Sequence, residues 1–320
     1  MESPHHRPLR GPLVSVILPV YNRAGWVARA VGSVLAQTHG PLELLVVDDG
    51  STDDTRRVLQ DFGDRITVLE QEHAGAEAAR NLALKHARGE FVAFIDSDDV
   101  WREERLSRQL PLFRRAKVGV VFGNAALVDY RVAPPLRLRR TFFDGVRPSH
   151  GRVTRELARG CFVPFSSVTV RRELLAGSGG FKRGYTAADY LKWVELSVTC
   201  EFDYVEAPVF EYAVHAGGIS HDLVETLEDR IEAFRELLAR NTNAELDAVL
   251  RRILFNQGLS LRVARARRGL KSRRAPFVPA LTTGERLSWS LEFVRDQLLT
   301  RGRWWSLQAA ALLSGRNGRG

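Results

Sequence analysis

Residues 75–99 read GAEAARNLALKHARGEFVAFIDSDD, a helix-like stretch followed by an apolar run and a group of acidic residues. The run EFVAFID at 90–96 has the continuous apolar character of a strand that is covered on both faces. Three carboxylates then fall within four positions, at Asp96, Asp98 and Asp99. Like charges this close repel each other, and burying one without a partner is strongly unfavourable. We therefore expect the cluster either to lie in open water or to receive a cation.

The same alternation of signals runs through the first 125 residues. Strand-like runs occur at 14–21, 43–49, 66–70, 90–96 and 118–123, and helix-like stretches separate several of them. This repetition predicts an α/β, doubly wound fold with a mostly parallel sheet flanked by helices. Ligands of such sheets bind beyond the carboxyl ends of the strands. The polar endings PVYN (19–22), DDGSTDD (48–54) and DSDD (96–99) are therefore expected to meet at one edge.

The rest of the chain is less regular at first and then becomes helical. A strand running into a short helix is predicted over 164–175, a helix over 188–198, extended structure over 205–215, and helices from 222 to about 270. We expect a flexible N-terminus over 1–12, one α/β domain over 13–220, and a mainly helical, basic C-terminal extension over 221–320.

Composition narrows the class of protein. The net charge is +9, but residues 251–320 hold 15 Lys and Arg against three acidic residues, so the first 250 residues carry −3. A nucleic-acid-binding role for the whole chain is therefore not expected. Cys161 and Cys200 have neither a disulfide nor a metal-site spacing, which favours a reducing cytoplasm. The N-terminus has no apolar core of the length found in signal peptides. No segment approaches the ~20 consecutive apolar residues that a membrane-spanning helix needs.

Asp96 and Asp98 are suited to hold a divalent cation. Mg²⁺ and Mn²⁺ prefer oxygen ligands and usually complete their shell with substrate phosphates. Two carboxylates in a tight turn after a strand can face one point, so the turn is a plausible holder for a metal–diphosphate. The alternative is a solvated turn in which Asp99 caps a helix that begins near Trp101.

A second acidic pair, Asp48 and Asp49, follows another strand-like run and precedes Gly50. A carboxylate here could accept a hydrogen bond from a pyrimidine N–H or from a ribose hydroxyl. The alternative is a turn and a helix cap, which is the role we expect for Asp53. Tyr21 and Asn22 end the first strand, where they could border a base.

PVYN, VVDDGSTDDT, GAEAARNLALKHARGEFVAFIDSDD and the later GGF…ADYLKW together resemble glycosyltransferase family 2, whose members have the GT-A fold. The resemblance covers roughly residues 13 to 220. It implies an inverting transferase that moves a sugar from a UDP-, dTDP- or GDP-linked donor to a hydroxyl acceptor, which in many relatives is lipid-linked or part of the cell envelope.

Carried over to this chain, the resemblance implies that Asp48 contacts the base, that Val20 and Tyr21 border the nucleotide, and that Arg80 lies near it. The implied donor-binding set is Pro19, Val20, Tyr21, Asn22, Asp48, Asp49, Arg80, Asp96 and Ser97. Asp96 and Asp98 would form the metal-binding DxD motif for Mn²⁺ or Mg²⁺. His215 occupies a place where relatives often have a residue near the metal, although a lone histidine can equally be structural.

The resemblance also implies a catalytic base. Family members usually have an acidic pair before a helix of the form Glu-Asp-x-x-x-Trp. Here the stretch at 186–193 reads TAADYLKW, so Asp189 matches the second acid and Ala188 replaces the first. Asp189 is therefore the candidate base, and its alternative role is that of a helix N-cap.

Two other functions stay open at this level. A sugar nucleotidyltransferase also binds nucleotides on an α/β sheet, but it typically has a Gly-rich loop with a lysine, which PVYNRAGWVARA lacks. A non-catalytic nucleotide-sugar-binding module is compatible with Ala188. The basic C-terminal region, with Trp289, Trp304 and Trp305, is compatible with peripheral contact to an anionic membrane or with helix packing alone.

Overall fold

The predicted apolar runs form the strands of one twisted sheet. The computed structural model describes residues 11–185, 187–215, 223–268 and 289. Within these residues the strands are β1 (Val14–Val20), β2 (Leu42–Asp48), β3 (Thr67–Glu70), β4 (Phe91–Phe94), β5 (Val100–Trp101), β6 (Val118–Asp129), β7 (Leu136–Thr141), β8 (Thr169–Arg171) and β9 (Glu201–Val214). The helices are α1 (Val27–Leu35), α2 (Thr55–Gln60), α3 (Ala76–His86), α4 (Arg105–Gln109), α5 (Thr154–Leu157), α6 (Arg172–Gly177), α7 (Ala188–Ser197), α8 (Leu223–Arg240) and α9 (Ala244–Arg267).

The strand order is β3-β2-β1-β4-β8-β6-β9-β5, with β7 paired to β6. The first four strands in this order are parallel. Beyond β4 the sheet is mixed, because β8 runs antiparallel to both β4 and β6. The predicted α/β fold with a mostly parallel sheet is confirmed. The sequence pattern did not reveal that β8 separates β4 from β6, since strand periodicity carries no information on pairing partners.

Helices cover both faces of the central strands, as the continuous apolar runs require. On one face α1 buries Val27, Val31 and Val34 in the same apolar cluster as Val14 and Leu18 of β1. On the other face α3 buries Ala79 and Ala83 beside Ile17 and Val47. Alternate residues of a strand point to opposite faces, so β1 serves both layers. Fully burying one valine stabilises the fold by about 1.5–3 kcal/mol relative to its exposure.

The C-terminal helices pack on the face that carries α3. Buried residues of α8 and α9, among them Phe234 and Ile253, belong to the same apolar cluster as Trp193 of α7. The helices predicted from 222 onward are confirmed up to Arg267, the last residue of α9. None of the helices in the described residues is both long and apolar enough to cross a bilayer. Residues 1–10, most of the predicted flexible N-terminus, and most of the basic C-terminal region lie outside the described residues.

A side chain on α3 fixes the loop that leads into α7. The Asn81 amide donates to the carbonyl of Phe181 at 2.7 Å, and its oxygen accepts the Phe181 N–H at 2.8 Å. Gly180 has φ +75°, and a Cβ there would lie 2.4 Å from the Asn81 oxygen. A side chain at position 180 would therefore be strained and would clash with this clamp. The clamp sets where α7 lies relative to α3.

We predict that Asn81→Ala destabilises the protein by about 1–3 kcal/mol, because it leaves two backbone groups of Phe181 unsatisfied. Denaturant unfolding measures this difference. Asn241→Ala is the control, because Asn241 bonds only locally to Asn243 on the surface, and it is expected to change stability by less than about 0.5 kcal/mol. Equal effects of the two substitutions would contradict the clamp.

Candidate donor-binding and catalytic site

Three polar chain segments that follow parallel strands meet at one edge of the sheet. Val20 at the end of β1 pairs with Asp48 at the end of β2, and the Asp49 N–H donates to the Val20 carbonyl at 2.8 Å. The acidic turn, residues 96–99, follows β4 at the same edge. The expected convergence of PVYN, DDGSTDD and DSDD is confirmed. Strand β9, which runs parallel to β6, brings a fourth segment to the turn through His215.

Asp48 is buried beneath an arginine. One carboxylate oxygen accepts the Ser51 N–H at 3.0 Å, and the other accepts the Arg56 Nε–H at 2.5 Å. The Arg56 side chain is 47% exposed, whereas that of Asp48 is fully covered. A nucleobase could contact this carboxylate only if the Arg56 side chain moved aside. Arg56 could not have been assigned from the sequence, where it is one exposed arginine on a short helix.

Asp49 has a different environment from its neighbour. Its oxygens accept hydrogen bonds from the Gln71 side chain at 2.6 Å and from the Ala74 and Gly75 N–H groups at 2.8 and 2.9 Å. The His73 ring also lies 2.9 Å from it. Asp49 is 2% exposed, so it is occupied in holding the loop 71–75 against the end of β2.

The loop 71–75 completes an aromatic wall beside Asp48. The ring of His73 stacks on that of Tyr21, with centroids 4.0 Å apart and an interplanar angle of 26°. Tyr21 is 39% exposed. Pro19 and Val20 lie buried in β1 behind it. The arrangement leaves one exposed aromatic surface at the edge of the sheet.

Asn22 joins the two loops at this edge. It has φ +49°, a conformation that asparagine adopts more readily than most residues. Its side-chain oxygen accepts the N–H groups of Thr52 at 2.8 Å and Asp53 at 3.3 Å. Asp53 in turn accepts the Thr55 N–H at 3.0 Å at the start of α2. The N-cap residue of α2 is Asp54, which makes no side-chain cap bond, so the cap expected at Asp53 is wrong. Asp53 instead forms a turn one position before the helix.

Arg80 is the positive group nearest to the acidic turn. Its guanidinium donates to Asp96 at 3.0 Å, contacts Glu77 at 3.3 Å, and lies 4.1 Å above the ring of Phe165. Burial raises the pKa of Asp96, Arg80 opposes this effect, and the charges of Asp98 and Asp189 add to it. The turn therefore carries more negative charge than Arg80 balances.

Asp99 does not cap a helix. Residues Val100–Trp101 form β5, and α4 begins only at Arg105. The Asp99 carboxylate instead accepts the Ala213 N–H of β9 at 3.0 Å and the hydroxyl hydrogen of Ser166. The Ser166 oxygen accepts the Asp96 N–H at 3.0 Å. Asp99 and Ser166 thus connect the acidic turn to β9, and Ser97 is buried within the turn.

Asp98 and His215 meet through this connection. The His215 Nε2 lies 2.8 Å from a carboxylate oxygen of Asp98, and the ring packs against Trp26 at 4.7 Å between centroids. Within the described residues, no group of three or more His, Cys, Asp or Glu is already arranged to hold a metal ion. Asp96, Asp98 and His215 nevertheless have the oxygen and nitrogen donors that Mn²⁺ accepts. The unbalanced negative charge of the turn favours a cation there.

Asp189 lies in the first turn of α7. The N-cap residue of this helix is Ala187. The carboxylate accepts the N–H of the next residue, Tyr190, at 2.6 Å. Burial raises the pKa of Asp189, while the Tyr190 N–H, Arg80 and Arg230 oppose this effect. The side chain of Ala188 is buried. Asp189 is close enough to Asp96 for the two charges to influence each other.

Sequence reasoning missed several residues of the site. Tyr212, on β9, is 41% exposed. Partial enclosure together with the charges of Asp99, Asp98 and Asp96 raises its pKa. Ser166 is 70 residues from Asp96. Neither Ser166 nor Tyr212 has a local signal in the sequence.

Comparisons with known proteins agree with this architecture. A family model described as Glycosyl transferase family 2 matches residues 15–175. The UDP-Glc:alpha-D-GlcNAc-diphosphoundecaprenol beta-1,3-glucosyltransferase WfgD of Escherichia coli is 43% identical over 119 residues, which are 37% of this chain and 47% of that protein. The chain spans about half the length of the curated relatives that it matches.

Two solved structures have the same fold. The mannosyltransferase PcManGT from Pyrobaculum calidifontis, in complex with GDP-Man and Mn²⁺, has a TM-score of 0.62 and 21% identity, covering 96% of this chain and 86% of that one. The structure of S. aureus TarS residues 1–349 in complex with UDP-GlcNAc has a TM-score of 0.60 and 20% identity. The match covers 88% of this chain and 80% of that one.

We predict that Asp99→Asn raises the melting temperature of the metal-free protein at pH 7. Burial and the neighbouring Asp98 and Asp96 charges raise the pKa of Asp99 well above its ordinary value. The folded state therefore binds this proton more tightly than the unfolded state, and stability falls as pH rises above the unfolded pKa of about 3.9. Asparagine removes that loss of stability. The melting temperature is expected to rise by about 2–4 °C for each kcal/mol gained in the free energy of unfolding. Thermal melts from pH 4 to 8 measure it.

Asp129→Asn is the matched control, for which the melting temperature is expected to change in the opposite direction. The hydrogen bond and charge of Arg131 lower the pKa of Asp129, so its stabilisation is present above the unfolded pKa and is lost as pH falls through the folded one. This variant is expected to melt lower at pH 7. A lower melting temperature for Asp99→Asn, with its pH dependence unchanged, would contradict the assignment.

Proposed function

Because this chain belongs to glycosyl transferase family 2, we propose that it transfers a sugar from a nucleotide-diphosphate sugar to a hydroxyl acceptor, with inversion at the anomeric carbon and with help from Mn²⁺ or Mg²⁺. One observation carries the proposal. The acidic turn, His215 and Asp189 lie around the same sheet edge as Asp48 and the exposed Tyr21, so nucleotide, diphosphate and acceptor would each face a suitable group.

The nucleotide would occupy the edge formed by the ends of β1 and β2. Asp48 is placed to accept a hydrogen bond from the base once Arg56 has moved aside. Tyr21, backed by His73, would border the base or ribose, with Pro19 and Val20 behind it. Asn22 and Asp49 would act by holding the two loops in place. The donors named for similar structures, GDP-Man and UDP-GlcNAc, support a UDP-, dTDP- or GDP-linked sugar.

The diphosphate would lie at the acidic turn. Asp96, Asp98 and His215 are the residues that would hold the metal, with Ser97 beside the phosphates. A bound Mn²⁺ or Mg²⁺ supplies Lewis-acid stabilisation of the negative charge on the leaving nucleotide. Arg80 would keep Asp96 oriented, and the connection from Asp99 through Ala213 would keep Asp98 and His215 at a fixed separation.

Asp189 would take the proton of the acceptor hydroxyl. Inversion requires a base on the face of the sugar opposite the leaving group. The raised pKa of Asp189 brings the carboxylate nearer to the operating pH, where a general base is more effective. Ala188 provides no second carboxylate, so Asp189 would act alone. A non-catalytic binding module is the second candidate, and the same substitution is the observation that favours it.

The acceptor is proposed to be lipid-linked or part of an envelope polysaccharide. WfgD is named as a glucosyltransferase that acts on alpha-D-GlcNAc-diphosphoundecaprenol. The cytoplasm is the proposed compartment. Peripheral membrane contact through the basic C-terminal region stays a proposal, because most of that region, including Trp304 and Trp305, lies outside the described residues. Trp289 packs against Phe255 at 5.6 Å and beneath Arg252 at 4.9 Å.

We predict that Asp98→Ala and Asp189→Asn separate binding from turnover. Asp98→Ala should lose the Mn²⁺-dependent part of nucleotide binding. Asp189→Asn should keep that binding and lose turnover about 10²–10⁴-fold, as removal of a general base does. Donor hydrolysis and transfer assays with Mn²⁺ measure both. The exposed Asp64→Ala is the control. Full turnover by Asp189→Asn would end the base assignment, and absence of turnover in the native chain with intact binding would favour the binding module.

We also predict that one nucleoside diphosphate stabilises the chain in a thermal-shift series of UDP, dTDP and GDP with Mn²⁺. At 100 times its Kd, a ligand adds about 2.7 kcal/mol. Asp48→Asn should lower the affinity for that nucleotide about 10-fold or more, because a charge-assisted hydrogen bond to the nucleobase is lost. Asp54→Asn, on the same loop but exposed, should not. Equal shifts for both variants would refute the assigned role of Asp48.

A further inference from the structure

An arginine-lined cavity lies on a part of the surface that the proposed reaction does not use. It has a volume of about 360 Å³ and opens between the start of α4, the middle of β9 and strand β7. The residues that line it are Arg102, Glu104, Arg105, Arg108, Arg137, Ala207, Pro208 and Val209. Arg102 follows Asp98 by four residues and Val209 precedes His215 by six. Four residues of fully extended chain span at most about 13 Å, so Arg102 lies within about that distance of Asp98.

The charges around this cavity do not balance. Four of its residues are arginines, and one, Glu104, is acidic. Glu211 of β9 lies nearby, 3.6 Å from Arg102 and 4.0 Å from Arg137. Four guanidinium groups therefore share two carboxylates. An anion entering the cavity would relieve this repulsion.

The deepest of the four arginines lacks a counter-charge. Arg105 is fully buried and lies 3.5 Å from the centre of the Trp101 ring. One terminal nitrogen donates to the Val168 carbonyl at 2.8 Å, while its Nε and Nη1 have no hydrogen-bond partner among the described residues. Burial lowers the pKa of Arg105 well below its usual value. A buried guanidinium with two unused donors strongly favours a nearby anion.

Exposed apolar side chains occur on the same hairpin that carries Arg137 of the cavity. The β6–β7 connection and the first residue of β7 expose Val132 at 47% and Leu136 at 57%, two of the six exposed large apolar residues in the described chain. Leu136 precedes Arg137, which lines the cavity, and Arg139 is also exposed. Apolar tips among arginines are typical of surfaces that sit at the headgroup level of a bilayer. A soluble phosphate would gain nothing from them.

We propose that this surface, formed by the cavity and the β6–β7 hairpin, binds the phosphate headgroups of an anionic bilayer. Arg102, Arg108 and Arg137 hold a phosphate at the cavity mouth, and Arg105 provides positive charge beneath it. Val132 and Leu136 enter the interfacial layer of the membrane. No residue of this surface belongs to the C-terminal region. Because the surface binds neither the sugar donor nor the hydroxyl acceptor, its assignment is independent of the proposed reaction.

The test is vesicle co-sedimentation of the full chain, without nucleotide or metal. The vesicles contain phosphatidylcholine alone or with phosphatidylglycerol. The pair Arg108→Ala/Arg137→Ala is expected to weaken partitioning to the anionic vesicles about 30-fold, because each basic residue near such a surface contributes about 5-fold. The control pair Arg57→Ala/Arg65→Ala removes two exposed arginines near β3, at the opposite end of the sheet. It is expected to change partitioning less than about 3-fold, as distant charges are screened.

A second comparison separates a bilayer from free phosphate. Leu136→Ser should weaken vesicle binding about 10-fold, since burial of a leucine is lost, whereas Val68→Ser, an exposed apolar residue of β3, should not. Titration with inorganic phosphate completes the test. Wild-type affinity of the arginine pair for anionic vesicles would overturn the proposal. So would an equal loss in the control pair, or saturable binding of inorganic phosphate by a chain that does not sediment with vesicles. All variants affect exposed residues, and their melting temperatures establish that they are folded.

Discussion

The carboxylates of Asp96, Asp98 and Asp99 are confined to one turn at the edge of a buried sheet, and the surrounding structure is arranged around their mutual repulsion. Each has a different partner. Arg80 contacts Asp96, His215 contacts Asp98, and an N–H of β9 with the Ser166 hydroxyl contacts Asp99. Burial still raises the pKa of Asp96 and Asp99. The turn is therefore held in place but is not neutralised, which is the condition that a site for a cation requires.

The two acidic groups at this edge, Asp48 with Asp49 and the three aspartates of the acidic turn, have similar arrangements. Of the first pair, Asp49 is occupied by the loop 71–75, while Asp48 accepts the Ser51 N–H and pairs with the half-exposed side chain of Arg56. In the acidic turn, Asp99 fixes the backbone, while Asp96 and Asp98 keep part of their surface exposed. One carboxylate in each group holds backbone N–H groups in place, and each of the others contacts a side chain, that of Arg56, Arg80 or His215.

Much of the fold could be predicted because its signals are local. Apolar runs gave β1, β2, β3, β4 and the first half of β6 to within a few residues, and helical spacing gave α1, α3 and α7. The pairing of β8 between β4 and β6 could not be predicted, because hydrogen bonding between strands depends on residues far apart in the chain. The alternative interpretation, in which Asp99 caps a helix that begins near Trp101, is wrong for a related reason. Val100 and Trp101 pair with Glu211 and Phe210 of β9, and this tertiary contact overrides local preference.

The sequence alone determined the α/β class, the three polar endings at one sheet edge and the identity of the acidic residues there, because each depends on neighbours within a few positions. Tertiary structure alone decided which of these carboxylates are buried and which keep part of their surface exposed. It also decided that Ser166 and Ala213 fix the acidic turn, and that four arginines from two separate segments, 102–108 and β7, surround one cavity. The physical reason is that burial and charge depend on distances in space, and residues 70 or more positions apart share no local pattern that records those distances.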